Sequence, residues 1–305
     1  MINKLIFSTQ NYQYLKNLVL KQSDFETGEA EVKYFSDGER YQRILNNVDG
    51  RDVVLIGGTI SDSDTLELYD LACAIVSQGA LSLLLIIPYF GYSTMERAVK
   101  TGEVVTAKTR AYMISSIPST SLGNRVILLD LHTEGLPYYF EGKIRPIHLY
   151  AKTLITEACN ELYGNDFVLA STDAGRAKWV ESLANDMGVN GAFIFKRRLS
   201  GDETEITSIN FDVKNKNVII YDDMIRTGGS LMNAARAYKE AGAARISVVT
   251  THGLFIGKSL EKIKESNLFE FIYSTDSHPN ALKLQGDFLK VKSIANLLKE
   301  EICKH

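Results

Sequence analysis

The chain has 305 residues, 45% of them hydrophobic and 23% charged, a balance that excludes an extended disordered protein. Its 34 Lys and Arg against 37 Asp and Glu leave a net charge of −3, without the basic excess that nucleic-acid phosphates demand. The longest apolar stretch, Leu83 to Ile87 with Pro88 after it, is far too short to cross a bilayer, so no membrane partner is expected. The amino terminus lacks the sustained apolar core of a signal peptide. Cys73, Cys159 and Cys303 lie too far apart for a metal-ligand spacing, so the expectation is a cytoplasmic protein with buried thiols.

Along the chain, short apolar runs alternate with amphipathic stretches. Val53 to Ile56 reads as a buried strand, followed by a loop, a helix over 66–78 and a second strand from Leu83 to Ile87. Val126 to Leu129, Phe167 to Ala170, Val218 to Tyr221 and Ile246 to Thr250 have the same character, and Ser293 to Ile302 reads as a closing helix. Continuous Val, Ile and Leu runs separated by helices predict parallel strands covered on both faces. The run Val53-Val54-Leu55-Ile56-Gly57-Gly58 lies without a gap on Val218-Ile219-Ile220-Tyr221-Asp222-Asp223, each followed by a polar loop and a helix, the second beginning near Leu231. Two related α/β halves are therefore expected, residues 1–148 and 149–305, with the final helix (about 290–305) packing back on the first. Any two strand–helix–strand units share some likeness. Here only the second half has acids where the first has Gly57 and Gly58.

The strongest local signal follows that second strand: Asp222-Asp223-Met224-Ile225-Arg226-Thr227-Gly228-Gly229-Ser230, leading into a helix. Ligands of parallel sheets bind beyond the carboxyl ends of the strands. Backbone amides at a helix start, with glycines allowing close approach, suit a phosphate, and Thr227 and Ser230 add hydroxyl donors. Phosphate oxygens do not sit comfortably beside two carboxylates, so Asp222 and Asp223 should face sugar hydroxyls or a metal ion. The plainer reading is that one acid caps the helix while the glycines make a tight turn. There is no G-x-x-x-x-G-K-[ST] run and no G-x-G-x-x-G, which excludes a P-loop ATPase and a dinucleotide fold of the usual kind.

This segment resembles the phosphoribosyl-diphosphate (PRPP) loop shared by type I phosphoribosyltransferases and ribose-phosphate diphosphokinases. Further motifs, in order and at similar spacing, resemble the second family, the PRPP synthetases: Phe35-Ser36-Asp37-Gly38-Glu39, Pro88-Tyr89-Phe90-Gly91-Tyr92, Asp130-Leu131-His132, Thr172-Asp173-Ala174-Gly175, Lys196-Arg197-Arg198 and Thr251-His252-Gly253. The resemblance implies an α/β protein of two phosphoribosyltransferase-like domains, each a mostly parallel sheet with helices on both faces, the first forming the nucleotide side. It implies a Mg²⁺-dependent enzyme that moves the β,γ-diphosphoryl group of ATP to the anomeric hydroxyl of ribose 5-phosphate, giving PRPP and AMP. It also implies self-association, because Phe35, Asp37 and Glu39 would complete a neighbouring subunit's ATP site.

The same resemblance assigns roles residue by residue. Glu96, Arg97 and His132 would contact ATP, and His132 and Asp173 would place the metal. Asp222 and Asp223 would hold the ribose hydroxyls, Thr227, Gly228, Gly229 and Ser230 the 5-phosphate. Lys196 and Arg198, on a flexible loop, would close over the migrating diphosphate, with His132 and Asp222 also among the catalytic groups. Phe35 can equally be read as core, Asp37-Gly38 as a turn, and Lys196 to Arg198 as a solvated charge run. His148, His252, His278 and His305 read as structural, and Trp179 as packing on the helix after Gly175.

Two departures from the family pattern stand out. After Tyr92 the common Arg-Gln-Asp run is replaced at Ser93-Thr94-Met95-Glu96-Arg97, nearer the phosphate-independent subgroup, with Arg97 a candidate for the lost cation. Arg226 stands where the common enzymes have an acid, and an arginine can clamp a phosphate bidentately. Arg226 with the altered ATP segment opens one alternative, a larger acceptor such as ADP-ribose, and the changed segment Thr94 to Glu96 leaves room for another, a regulatory paralogue without catalysis.

Overall fold

The computed structural model describes residues 4–200 and 203–305, with backbone alone for 196–200 and 203–207. The chain divides into two compact units, Met1–Tyr150 with Ile294–His305, and Ala151–Ser293.

The first unit runs β1 (Leu5–Ser8), α1 (Gln13–Lys21), β2 (Glu26–Thr27), β3 (Ala30–Tyr34), β4 (Arg40–Ile44), β5 (Asp52–Ile56), α2 (Asp62–Ser77), β6 (Ser82–Ile87), α3 (Thr106–Ser115), β7 (Asn124–Leu129) and β8 (Ile144–Leu149). Its six-stranded sheet has the order β2-β1-β5-β6-β7-β8, every pairing parallel. Val53 and Leu55 pack with Leu68, Leu71 and Ile75 of α2, while Val54 and Ile56 are buried on the opposite face. That two-sided burial is why these strands read as continuous apolar runs. β3 and β4 form a separate antiparallel hairpin.

The second unit runs α4 (Lys152–Tyr163), β9 (Val168–Ser171), α5 (Ala177–Met187), β10 (Asn190–Ala192), β11 (Ile194–Ser200), β12 (Glu203–Ile209), β13 (Asn217–Ile225), α6 (Gly229–Glu240), β14 (Arg245–Gly253), α7 (Ser259–Glu265), β15 (Ile272–Thr275), α8 (Pro279–Lys283) and β16 (Leu289–Lys292). Its sheet order is β10-β9-β13-β14-β15-β16, again parallel throughout, with β11 and β12 as an antiparallel hairpin. The two units thus repeat one topology, including a hairpin inserted at the same point. α9 (Ala295–Cys303) closes the chain on the first unit, packing against α1.

Several sequence expectations are corrected. α2 begins at Asp62, not near Leu66, because Ser61 caps it: its Oγ accepts from the Asp64 amide at 3.1 Å, and acids in the first turn suit the positive helix end. β13 does not stop at Tyr221 but stays paired with β14 as far as Ile225, so Asp222 and Asp223 lie within the strand. Lys196, Arg197 and Arg198 belong to β11, a hairpin strand rather than a loop. Lys196 pairs with Ile206 and Arg198 with Thr204 in the backbone ladder, and their side chains lie outside the described residues, as do Gly201 and Asp202 entirely. Of the cysteines only Cys159 is buried, its thiol pushed up to about 12 by desolvation; Cys73 is half-buried and Cys303 exposed.

Candidate active site

In the second unit the site grows from the carboxyl edge of the sheet. Side chains alternate along a strand, so adjacent acids on β13 leave it from opposite faces, although their carboxyl groups still meet at the strand's end. Val218 and Ile220 pack in the core shared with Leu231, Ala234 and Ala235 of α6, and Asp222 continues that face. Tyr221, on the other face, stacks on Trp179 of α5 with ring centroids 4.1 Å apart, and Asp223 continues the Tyr221 row.

The two acids differ accordingly. Asp222 is half-buried; its Oδ2 accepts from the Thr172 hydroxyl at 3.3 Å and its Oδ1 from the Asp223 amide at 3.1 Å. Asp223 is 1% exposed and meets the Arg176 guanidinium at 2.6 Å. Desolvation first, and the neighbouring Asp223 carboxylate second, hold the Asp222 carboxyl well above the usual carboxylate range, with Arg176 opposing the shift. Asp173, at the end of β9, accepts from the Gly175 amide at 2.9 Å, which shapes the turn that presents both Asp173 and Arg176.

Beyond the acids the chain turns at Gly228, whose φ of +77° is left-handed and whose missing Cβ would lie 2.5 Å from Ile263 Cδ1. α6 starts at Gly229 without any side-chain cap on its first amides. The helix-cap reading of Asp222 or Asp223 is therefore not what the structure adopts. Uncapped first-turn amides at the positive end of a twelve-residue helix are donors of the kind an anion takes, and Thr227, Gly229 and Ser230 stand exposed around them. Arg226 is half-buried beside them, with a buried Nε that has no hydrogen-bond partner among the described residues.

In the first unit the equivalent edge carries Gly57-Gly58-Thr59 instead of acids. Thr59 Oγ1 accepts from the Gly91 amide at 2.7 Å, and a Cβ on Gly91 would sit 2.0 Å from the Thr59 carbonyl oxygen. Tyr92, at a φ of +60°, donates its hydroxyl to Asp62 Oδ1 at 2.8 Å, and Arg110 meets the same oxygen at 2.6 Å while lying over the Tyr92 ring. Those two contacts hold the Asp62 carboxyl below its usual range. Arg97 is exposed and pairs with half-buried Glu96 at 3.5 Å, while the Glu96 carbonyl accepts from the Tyr139 hydroxyl. His132 is half-buried after the buried, left-handed Asp130, and His148 Nε2 accepts from the Leu131 amide at 3.0 Å.

Phe35 to Glu39 is the tip of the β3–β4 hairpin. Phe35, read alternatively as core, is 52% exposed, and Asp37 closes the turn by accepting from the Glu39 amide at 3.0 Å. Within the second unit the structure gathers Asp173, Asp222, Asp223 and the 226–230 turn at one sheet edge; within the first it gathers Glu96 and Arg97 on the loop after β6 and His132 after β7. The sequence reading placed Thr172 and Tyr92 in family motifs without giving them a role, and it missed Arg176, Asp62 and Arg110. The one available signal was a cation three residues after the acidic turn at Asp173.

A parallel α/β sheet ending in an acidic pair and an uncapped glycine turn defines a sugar-phosphate-binding protein of the phosphoribosyl class. Residues 4–117 match the N-terminal domain of ribose phosphate pyrophosphokinase and residues 186–305 the phosphoribosyl synthetase-associated domain. A ribose-phosphate pyrophosphokinase of Chromobacterium violaceum is 32% identical over 299 residues, 96% of this chain and 89% of that one. One of Thermotoga maritima is 31% identical over 306 residues, 98% of this chain and 94% of that one. The crystal structure of phosphoribosylpyrophosphate synthetase from Mycobacterium smegmatis superposes with a TM-score of 0.86 at 26% identity, covering 99% of this chain and 98% of that chain. The chain belongs to the ribose-phosphate pyrophosphokinase family, a family of enzymes, and that membership favours PRPP synthesis over the larger acceptor and over a non-catalytic paralogue. Among the described residues no helix is long and apolar enough to cross a membrane.

Proposed function

We propose that the protein transfers the β,γ-diphosphoryl group of ATP to ribose 5-phosphate. The observation that carries this reading is the uncapped start of α6 directly beyond a strand-borne acid pair, a place for a terminal phosphate beside a place for sugar hydroxyls. The acids at the end of β13 take the ribose hydroxyls, and the 227–230 turn takes the 5-phosphate, with Arg226 beside it. The anomeric oxygen attacks the β-phosphorus; that O–P bond forms as the bond from the β-phosphorus to the α,β-bridging oxygen breaks, AMP leaves with the bridging oxygen, and the hydroxyl proton is lost. The protein's task is to position two anions and to neutralise charge on the moving group. Lys196 and Arg198, on the β11–β12 hairpin, supply cations for that group, and Glu96, Arg97 and His132 line the nucleotide side of the first unit.

Among the described residues no three His, Cys, Asp or Glu side chains gather to hold an ion by themselves. Mg²⁺ keeps several waters and binds through one or two carboxylates plus substrate phosphates. Asp173 offers the hard oxygen ligand, and the His132 imidazole suits a contact through water rather than a direct bond. When bound, Mg²⁺ would screen the phosphate oxygens against one another. The exposed tip of the first hairpin, with Tyr34 at 54% and Phe35 at 52%, suits burial against a second copy of the chain, where Phe35, Asp37 and Glu39 would border its nucleotide.

Mass spectrometry of products tests the reaction. Protein mixed with Mg²⁺, ATP and ribose 5-phosphate should yield AMP and PRPP, and ADP-ribose in place of ribose 5-phosphate should yield no AMP. AMP that depends on ADP-ribose, or none with either acceptor, would overturn the reading. Lys196→Ala should lower kcat by orders of magnitude while ribose 5-phosphate binding falls only modestly.

A further inference from the structure

The two adjacent acids on β13 lie in unlike surroundings. Asp223 is 1% exposed, and a buried carboxylate without a counter-ion is costly enough that the fold must supply one. It does so from another segment: Arg176, in the turn between β9 and α5, places a guanidinium nitrogen 2.6 Å from Asp223 Oδ1 with its own side chain 18% exposed. Strand alternation sends Asp223 toward the α5 side, in the row of Tyr221 and its stacked Trp179, and leaves Asp222 on the α6 side, where the anion-binding turn opens. Asp222 accepts from the Thr172 hydroxyl and the Asp223 amide, and its carboxyl also meets that of Asp223 with Arg176 close enough to act on it, whereas the direct guanidinium contact goes to Asp223.

We infer that Asp223 and Arg176 form an internal ion pair that positions the end of β13, and that Asp222 is the one acid of the two that meets the ribose hydroxyls. The inference rests on the ribose 5-phosphate reading and divides the labour within that site. Arg176 is then a positioning residue: it acts on the sugar through Asp223 and the strand, without touching it. The pair also ties the turn that carries Asp173 to the strand that carries Asp222, so the two acidic segments of the second unit keep a fixed spacing. Charge balance gives a second consequence. With Asp223 neutralised by Arg176, the phosphate of an arriving sugar faces less negative charge at the end of β13 than two uncompensated carboxylates would present.

The test compares wild type with D222N, D223N, R176M and the double variant R176M/D223N by steady-state kinetics and by calorimetric titration with ribose 5-phosphate and with inorganic phosphate. D222N should weaken ribose 5-phosphate binding more than tenfold. R176M, which strands a buried carboxylate, should raise KM for ribose 5-phosphate at least fivefold while KM for ATP and inorganic phosphate binding stay within twofold. R176M/D223N, with neither charge, should recover most of that loss relative to R176M. A double variant no better than R176M, or D223N losing the sugar as fully as D222N while R176M is silent, would overturn the inference by making Asp223 a direct sugar ligand. If wild-type protein neither binds ribose 5-phosphate nor forms AMP, the functional reading itself fails. The pair is then judged by urea unfolding of the same four variants, where additive effects of R176M and D223N would show that no ion pair forms.

Discussion

Burial, the neighbouring His252 and Lys283 push the His278 imidazole down to about 3 from an ordinary value of 6.5. The residue is 3% exposed at the end of the strand-and-turn that leads into α8, where its Nδ1 accepts from the Asn280 amide at 3.2 Å and so caps the helix. The folded protein therefore keeps this ring neutral across the range in which an unfolded chain would protonate it. As pH falls below 6.5 the unfolded state gains a proton that the folded state lacks, so stability drops by about 1.4 kcal/mol per pH unit from this group, down to a pH near 3. His278→Asn keeps an acceptor at the cap and removes the titration. Urea unfolding at pH 7, 6, 5 and 4 should show the wild type losing stability more steeply than the variant by about one proton's worth. Equal slopes would mean that the folded protein takes up the proton. Such a role was legible in the sequence only as "structural histidine". The residue-scale partners that matter most, Arg176 for Asp223 and Asn280 for His278, join one side chain to another group through a fold that no local pattern encodes.

At the scale of the element, the turn into α6 separates stability from binding. Gly228 holds a left-handed φ of +77°, and a Cβ there would press on Ile263 Cδ1 at 2.5 Å, whereas Gly229 has no atom within 4 Å of its would-be Cβ. Gly228→Ala should cost about 2–4 kcal/mol, from roughly 1–2 of left-handed strain and a similar overpacking term. Gly229→Ala, at the first helical position, should leave the melting temperature unchanged or slightly raised, up to about 1 kcal/mol of helix propensity. If Gly229→Ala keeps stability yet weakens inorganic phosphate binding, close approach of the anion to the backbone is the reason for this glycine. Unchanged phosphate binding would place the anion elsewhere. These glycines were readable from the sequence because turn chemistry is local, and so were the β5, β6, β7 and β13 strands, whose two-sided burial leaves an unbroken apolar run. The hairpins were not. β3 and β4 are mostly half-exposed or exposed ribbons outside the main sheets, and a strand that buries neither face has no hydrophobic period to read, while the charge run Lys196-Arg197-Arg198 of β11 reads as a loop. The extension of β13 through Asp222 and Asp223 was hidden for a related reason: its backbone bonds to β14 persist after the apolar side chains have stopped.

For the whole molecule, the repeated topology makes each unit a core of its own, and α9 is the one element after the second unit that returns to the first. Its apolar residues Ala295, Leu298 and Ile302 are fully buried, as are Leu15 and Val19 on the α1 helix it packs against. Neither helix is stable alone at nine residues, so each depends on the apolar face of its partner. Leu298→Ala should remove about 2–5 kcal/mol from the first unit through lost burial and the cavity left behind. The single tryptophan makes the effect local to read: Trp179 lies in the second unit, stacked on Tyr221, so its fluorescence follows that unit while far-UV circular dichroism follows both. In urea, Leu298→Ala should move part of the dichroism transition to lower denaturant and leave the Trp179 midpoint in place. A Trp179 midpoint that moves with the dichroism would mean that the two cores unfold as one cooperative body, and that α1 and α9 stabilise the second unit as much as their own.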